Sequence, residues 1–171
     1  STGQNITGLE FKPDLLWIKK RNESESWGGF DSVRGVNKRL YINDTHAEQS
    51  EVTMSAFYEG GFRVEGSGGG STNDNSDTYV GFCWKAGGSS STYNVDGKGY
   101  TTQSASGIQA GTLALTGASV NTTAGFSIVT WTGDGNSSAN VGTGLDSDKP
   151  LDWAIVKKTN TTGEWQVGHS G

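Results

Sequence analysis

FKPDLLWIKKRNESESWGGFDS, residues 11–32, decides the fold, because a degraded copy, KPLDWAIVKKTNTTGEWQVGHS, returns at residues 149–170. Both copies carry Lys-Pro, an apolar run that ends in Lys-Lys, a polar turn, a tryptophan and a closing serine. Trp165 lies 138 positions after Trp27 (165 − 27), and the lysine pairs have the same spacing. Self-similarity at a fixed spacing is the signature of tandem repeats. The sequence therefore predicts a repeating unit of about 138 residues.

The residues ahead of each copy indicate how the chain is divided. GFSIVTWTG, residues 125–133, alternates apolar and polar residues ahead of the second copy, and nothing comparable precedes the first. We therefore expect a first β-sandwich unit over residues 1–124 that lacks its opening strand. Residues 125–171 are expected to be the opening strands of a second, tandem unit, or instead to complete the first sandwich.

Composition favours a packed β protein with a weakly charged surface. Glycine accounts for 27 of 171 residues, and charged residues make up 18% of the chain against a usual ~25%. Six tryptophans, six phenylalanines and five tyrosines argue for a real core. The net charge of −5 disfavours nucleic acid as a partner, because phosphate binding needs clustered lysine and arginine. The sequence also has no long apolar segment, so we expect no membrane span.

Short apolar runs between glycine-rich and asparagine-rich turns predict strands rather than helices. Leu15–Ile18 reads as a strand buried on both faces, which Lys19–Arg21 ends in solvent, and Thr78–Trp84 reads as a central strand. Residues 66–76 are expected to form a surface loop, and a helical turn is expected only within Asn43–Ser50. The predicted fold is all-β: an antiparallel two-sheet sandwich of the jelly-roll or concanavalin-like type, with a short helical turn at most.

Patterns that carry catalysis are missing from the sequence. The two histidines have no spacing that suits a metal site or a catalytic triad, and there is no Gly-x-Ser-x-Gly elbow. Sandwich glycosidases need two acids held ~5–9 Å apart. The pairs Glu23/Glu25 and Asp146/Asp148 fall instead in charged turns and read as solvated acids. We therefore expect no enzymatic activity.

Two groups of residues are candidates for binding a ligand. Trp27 and Trp165 recur beside polar turns, where an exposed indole face could stack on the apolar face of a sugar ring, although a place in the core suits their recurrence equally well. Oxygen ligands for a calcium ion are clustered in one loop, namely on Asn73, Asp74, Asn75 and Asp77. The same residues are also ordinary turn formers, and no EF-hand pattern surrounds them.

Three blocks of the sequence resemble a known family. They are GQNITGLEFKPDLLWIKKRNESESWGGFDSVRG, SDTYVGFCWKAGG and AGFSIVTWTGDG, and they span most of the chain. Together they resemble a domain of tail-fibre-like and other virion proteins of tailed bacteriophages, especially marine and cyanobacterial ones. The second copy departs from the pattern, because it has Gly168-His169-Ser170 where the first has Phe30-Asp31-Ser32.

The resemblance implies a β-rich module that is repeated along a fibre and displayed at the virion surface, outside the cell. It implies no catalytic residues. We accordingly expect a non-enzymatic structural or adhesive module of a phage tail fibre or other external appendage. Its expected partners are other copies of itself, as a homo-oligomer such as a trimer, other virion proteins, and host-surface glycans. The alternative is a carbohydrate-binding module of a secreted bacterial protein.

Overall fold

A computed structural model describes residues 3–66 and 72–170 and is nearly all β, which confirms the predicted antiparallel sandwich class. The described strands are β1 (Gln4–Thr7), β2 (Leu15–Lys20), β3 (Gly28–Asp31), β4 (Lys38–Tyr41), β5 (Gln49–Ser50), β6 (Met54–Tyr58), β7 (Gly61–Val64), β8 (Tyr79–Trp84), β9 (Tyr93–Val95), β10 (Lys98–Tyr100), β11 (Leu115–Asn121), β12 (Phe126–Trp131), β13 (Trp153–Val156) and β14 (Gln166–His169). A four-residue helix, α1, covers Gln103–Ser106. The predicted helical turn within Asn43–Ser50 is wrong, because that segment ends in β5.

Two sheets sandwich the first hydrophobic core. One has the strand order β1-β7-β6, and the other has the order β5-β4-β3-β2-β8. Alternate residues of β2 are buried, as expected for a strand with one face against a core. Their side chains meet those of β3, β6 and β7 in a cluster made of Leu16, Ile18, Phe30, Met54, Phe62 and Val64.

A third sheet builds a second core beside the first. Its order is β10-β9-β11-β12, and all of its pairings are antiparallel except that of β9 with β11. Ala118 and Val120 of β11 are fully buried there with Tyr93, Leu115 and the loop residue Ile108. The boundary expected at residue 124 falls in the turn between β11 and β12, so β12 completes this sheet; the division into tandem units stays a prediction.

Asp14, fully buried just ahead of β2, joins the two cores. Its Oδ1 accepts hydrogen bonds from the hydroxyls of Ser32 (2.6 Å) and of Ser119 on β11 (3.0 Å). Its Oδ2 accepts from the backbone N–H groups of Ala86 (2.8 Å) and Gly88 (3.0 Å). A buried carboxylate is tolerated only when it is well bonded, and these four donors meet that condition.

The fourth sheet, β13–β14, repeats the β2–β3 hairpin. Trp153 pairs with His169 as Leu15 pairs with Asp31, at an offset of 138 residues on both strands (153 − 15 and 169 − 31). Both hairpins run antiparallel over four paired positions. The similarity detected in sequence is therefore a similarity of backbone register as well.

Two expectations about strand burial are wrong. β2 is buried on one face only, because Leu15, Trp17 and Lys19 remain partly exposed on the other. β8 is an edge strand and not a central one, since it pairs only with β2 in the described part of the chain. The expected loop over residues 66–76 lies in part outside the described residues.

Candidate functional site

Four aromatic side chains are in consecutive contact on the side of the five-stranded sheet that faces away from the first core. We call Trp17, Trp27, Phe82 and Trp84 the aromatic face. The rings of Trp27 and Phe82 are 5.9 Å apart, those of Phe82 and Trp84 are 6.3 Å apart and stacked, and Trp84 meets Trp17 edge to face at 5.1 Å. These separations are typical of favourable aromatic pairs.

Strand alternation explains how β2 and β8 build this face. Trp17 lies directly opposite Phe82 in the antiparallel pair, and Trp84 lies opposite Leu15. Successive side chains of a strand point to opposite faces, so the aromatic residues share one face, while Leu16 and Ile18 point into the core. Phe82 is 46% exposed, and it is the most accessible ring of the four.

Trp27 reaches the aromatic face from the chain just before β3. Its backbone N–H donates to Asn43 Oδ1 (2.8 Å), and its carbonyl accepts from the N–H of Ile42 (3.2 Å). Those bonds fix the main chain, and the half-buried ring packs towards Phe82. The structure therefore places Trp27 beside the other three rings, half-buried, and its predicted role in stacking on a sugar stays a prediction.

Trp165, the equivalent residue of the second hairpin, has different surroundings. Its ring nitrogen Nε1 donates to the carbonyl of Tyr41 at 2.8 Å, and the side chain is half-buried. The hydrogen bond attaches β14 to the main body of the molecule. The structure therefore does not bring Trp165 onto the aromatic face defined by the other four rings.

The other members of the aromatic face were missed because their runs read as core. LLWI and YVGFCW are almost wholly apolar, and continuous apolar runs are typical of strands buried on both faces. The position of β8 at the edge of the sheet leaves Phe82 exposed, and this position depends on pairing with β2 between residues 59 to 69 positions apart (79 − 20 and 84 − 15). The alternation of aromatic residues at Phe82 and Trp84 was the one available signal.

Two of the four predicted calcium ligands, Asp74 and Asp77, form ion pairs with a buried lysine, while Asn73 is half-buried nearby in sequence. Lys20 Nζ lies 2.9 Å from Asp74 Oδ2 and 2.8 Å from Asp77 Oδ2, and it also meets Glu25 at 3.2 Å and Glu23 at 3.3 Å. The side chain of Lys20 is only 4% exposed, so the expectation that residues 19–21 lie in solvent is wrong for Lys20, although Arg21 is exposed. The ammonium group supplies the positive charge around which these acids gather.

Hydrogen bonds within this cluster shift the pKa values of its members. Asp74 and then Asp77 raise the pKa of Lys20 far above its usual value, against the opposing effect of burial. Lys20 in turn lowers the pKa of Asp77, helped by the amide of Asn22. Lys20 and Asp77 are thereby held in their ionised forms at neutral pH. Asn75, a further predicted ligand, is exposed and donates to Ser76 Oγ.

A shallow hollow of about 250 Å³ lies beside β12 at the second core. Leu113, Trp131 and Val141 form its apolar side, and Asp134 and Asn140 lie on its rim. The rim groups already serve the local backbone, since Asn140 Oδ1 accepts from the N–H of Thr112 and Asp134 Oδ1 from that of Asn136. Because these acceptors are already hydrogen-bonded within the chain, the hollow is a weaker candidate for a binding site than the aromatic face.

The remaining reactive groups are placed in structural roles. Burial raises the pKa of the Cys83 thiol, which keeps it protonated and unreactive at neutral pH. Asp146 accepts from the N–H of Asp148 and from Lys149, in the turn where sequence placed them. Over residues 3–66 and 72–170, no three His, Cys, Asp or Glu side chains form a group able to hold a metal ion.

None of the described helices is both long and apolar enough to cross a membrane. One family model, described as a domain of unknown function (DUF7483), matches residues 1–171. No curated protein and no solved structure matches the chain significantly. Because the family match covers far more than half of the sequence, the chain belongs to the DUF7483 domain family.

Proposed function

We propose that this chain is a non-enzymatic structural and adhesive module that binds carbohydrate on its aromatic face. The observation that carries the proposal is the row of contacts from Trp27 through Phe82 and Trp84 to Trp17, with Phe82 at 46% exposure. The exposed ring of Phe82 is continuous with three partly exposed rings, and contiguous apolar surface of this kind supports a binding role.

The chemistry of the aromatic face suits sugar rings. The axial C–H groups of a pyranose form an apolar patch that packs on an aromatic ring, and the ring's negative face favours the slightly positive hydrogens. Phe82 and Trp84 are stacked within 28° of parallel, so together they present an extended platform rather than a closed pocket. An extended platform favours a chain of sugars over a single monosaccharide.

Titration of the full chain with soluble oligosaccharides, followed by tryptophan fluorescence and calorimetry, tests this proposal. We expect saturable binding of at least one polysaccharide class. Phe82→Ala and Trp27→Ala should each weaken binding about 2- to 10-fold, as expected for the loss of an aromatic contact of about 0.5–1.5 kcal/mol. Trp153→Ala is the matched control, because Trp153 is 51% exposed but lies on β13, outside the aromatic face.

Absence of saturable binding across neutral, acidic and amino sugars would overturn the carbohydrate proposal. Binding that Trp153→Ala weakens as much as Phe82→Ala does would move the site to β13. Release of shortened glycans by the purified chain would contradict the non-enzymatic part, which is supported by the engagement of Glu23 and Glu25 with Lys20.

The place of the module in a virion is a proposal that rests on the resemblance of three sequence blocks to phage tail-fibre-like proteins. It predicts a module outside the cell on an assembled particle, in contact with other virion proteins and with host-surface glycans. Immunogold labelling of purified particles with an antibody to this chain tests it. A label confined to secreted soluble protein would favour the alternative, a carbohydrate-binding module of a secreted bacterial protein.

A further inference from the structure

The β13–β14 hairpin repeats the local hydrogen bonds of the β2–β3 hairpin as well as its pairing register. In the first hairpin, Ser32 donates from its N–H to the Asp14 carbonyl (2.8 Å) and from its hydroxyl to Asp14 Oδ1 (2.6 Å). In the second hairpin, Ser170 donates from its N–H to the Asp152 carbonyl (3.0 Å) and from its hydroxyl to Asp152 Oδ1 (3.3 Å). Asp152 and Ser170 both lie 138 positions after their counterparts.

The surroundings of the two hairpins differ. β2 pairs with β3 along one edge and with β8 along the other. Within residues 3–66 and 72–170, β13 pairs only with β14. Asp14 is fully buried and Asp152 is exposed. Val156 is 40% exposed, although its counterpart, Ile18, is 6% exposed.

An isolated two-stranded hairpin with apolar side chains on both faces is unstable in water. Trp153 is 51% exposed and Val167 is 64% exposed, and they lie on the face opposite to that of Val156. The open edge of β13 also presents unpaired backbone groups to any strand that approaches it. The second hairpin is therefore an interaction surface with a defined edge and defined apolar positions.

We infer that β13–β14 is the opening hairpin of a second unit of this fold, and that it docks a segment corresponding to residues 33–138, joined to the same polypeptide after β14. The first unit shows how each contact is made. A strand equivalent to β8 pairs antiparallel with β13, its following turn supplies two N–H groups to Asp152, and an equivalent of β6–β7 covers Val156.

Contacts with the first unit already set the position of the second hairpin. The N–H of Glu48 donates to the Thr159 carbonyl (2.8 Å), and the N–H of Gly163 donates to the Thr45 carbonyl (2.9 Å). Trp165 Nε1 adds its bond to Tyr41. The turn of β13–β14 is thus held at the 41–48 segment, while the strands of the hairpin extend away with their apolar residues exposed.

An extended chain tests the inference: the full sequence through Ser170, followed by a second copy of residues 33–138. Hydrogen exchange at residues 153–156 should slow at least tenfold relative to the present chain, and this protection should not depend on protein concentration. Unchanged exchange at β13 would count against the inference. Protection that appears only at concentrations where chains associate would place the docked segment on another molecule and overturn the in-chain assignment.

A second variant is needed because two positions of the second hairpin carry smaller side chains than the equivalent core residues of the first. Ala154 stands where the first hairpin has Leu16, and Gly168 stands where it has Phe30, so the appended segment would meet a cavity. Ala154→Leu with Gly168→Phe restores those side chains in the extended chain. If β13 remains unprotected even then, the inference is refuted.

Asp152→Ala completes the test. In the repaired extended chain it should abolish the protection of β13, because the N–H groups after the new strand lose their acceptor. Asp148→Ala, a change of an exposed turn acid, is the matched control and should leave the protection unchanged. Equal effects of the two changes would show that Asp152 does not hold the docked segment in the way Asp14 holds residues 86–88.

Discussion

Asp14 has the largest structural role of any single residue described above. Four donors from three separated segments converge on its carboxylate, and two of them are backbone N–H groups that follow β8. Ser119 also accepts from the N–H of Gly87 at 2.8 Å, so the same contact connects β11 to that turn. The relative position of the two cores depends on these bonds.

Asp14→Ala should lower the free energy of unfolding by about 3 kcal/mol or more, since each buried donor left without an acceptor costs about 1–3 kcal/mol. Asp152→Ala, at the equivalent place in the exposed hairpin, should change it by no more than about 0.5 kcal/mol. Urea denaturation of both variants measures the difference. Equal losses would contradict the role assigned to Asp14.

Stability at acidic pH should depend on the cluster around Lys20. Lys20 lowers the folded-state pKa of Asp77, and Ser55 with Arg63 lowers that of Glu65. A lowered carboxyl pKa contributes stability that is complete above the unfolded value, ~4, and is lost as the pH falls through the folded value. The melting temperature should therefore fall steeply below about pH 4.

Lys20→Met should make that fall shallower. An unchanged dependence of the melting temperature on pH would exclude the cluster as its source.

Calcium should stabilise the chain only when the Lys20 charge is removed. In the native chain the ammonium is within 2.9 Å of Asp74 and 2.8 Å of Asp77, so a divalent ion there would be repelled. Lys20→Gln leaves the carboxylates without that charge, and its melting temperature should rise with calcium concentration. A saturable rise in the native chain would support the calcium site expected at residues 73–77.

At the scale of elements, β13–β14 is attached through its turn and through one tryptophan. The ring of Trp165 holds the strand side of the hairpin by a bond to Tyr41, and backbone bonds hold the turn. Few apolar contacts of its own support the hairpin, so it should open more readily than β2–β3.

Trp165→Phe keeps an aromatic ring but removes the Nε1 donor to Tyr41. Hydrogen exchange at residues 153–156 and 166–169 should accelerate severalfold, whereas exchange at residues 15–20 should stay unchanged. Trp131→Phe is the matched control, because Trp131 packs at the second core away from the hairpin. Acceleration in both variants alike would show a global rather than a local effect.

At the scale of the whole molecule, several large apolar side chains remain in water. Val52 is 57% exposed and Leu151 is 45% exposed, in addition to the residues of the aromatic face and of β13–β14. Exposed apolar side chains are candidates for contacts between proteins. We propose, as the resemblance to fibre proteins implies, that the module works as a homo-oligomer.

Sedimentation equilibrium of the full chain tests the oligomer directly. We expect a mass three times the 18.0 kDa of one chain at micromolar concentration. A trimer that persists in high salt would fit an apolar interface, because salt screens charged contacts and leaves apolar burial intact. A single species of monomer mass at all concentrations would contradict this prediction.

Sequence by itself determined the all-β class, the recurrence of one hairpin block 138 residues later and the polar turns of this chain. These properties depend on local patterns: apolar runs of strand length, glycine-rich turns and two blocks with the same order of residue types. The recurrence could be detected because the lysine pair and the tryptophan return at one spacing of 138 residues, while Lys-Pro returns at 137 (150 − 13), a difference of a single residue.

Only the tertiary structure decided which apolar residues face water and which charges are buried. Trp84 and Leu16 both stand in apolar runs, yet the pairing of β2 with a distant edge strand puts one on the outer face and the other in the core. The sequence around Lys20 predicts a solvated strand end, but in the structure Lys20 forms ion pairs with Asp74 and Asp77. Strand order and long-range ion pairs arise from contacts between segments far apart in the chain, which local patterns do not encode.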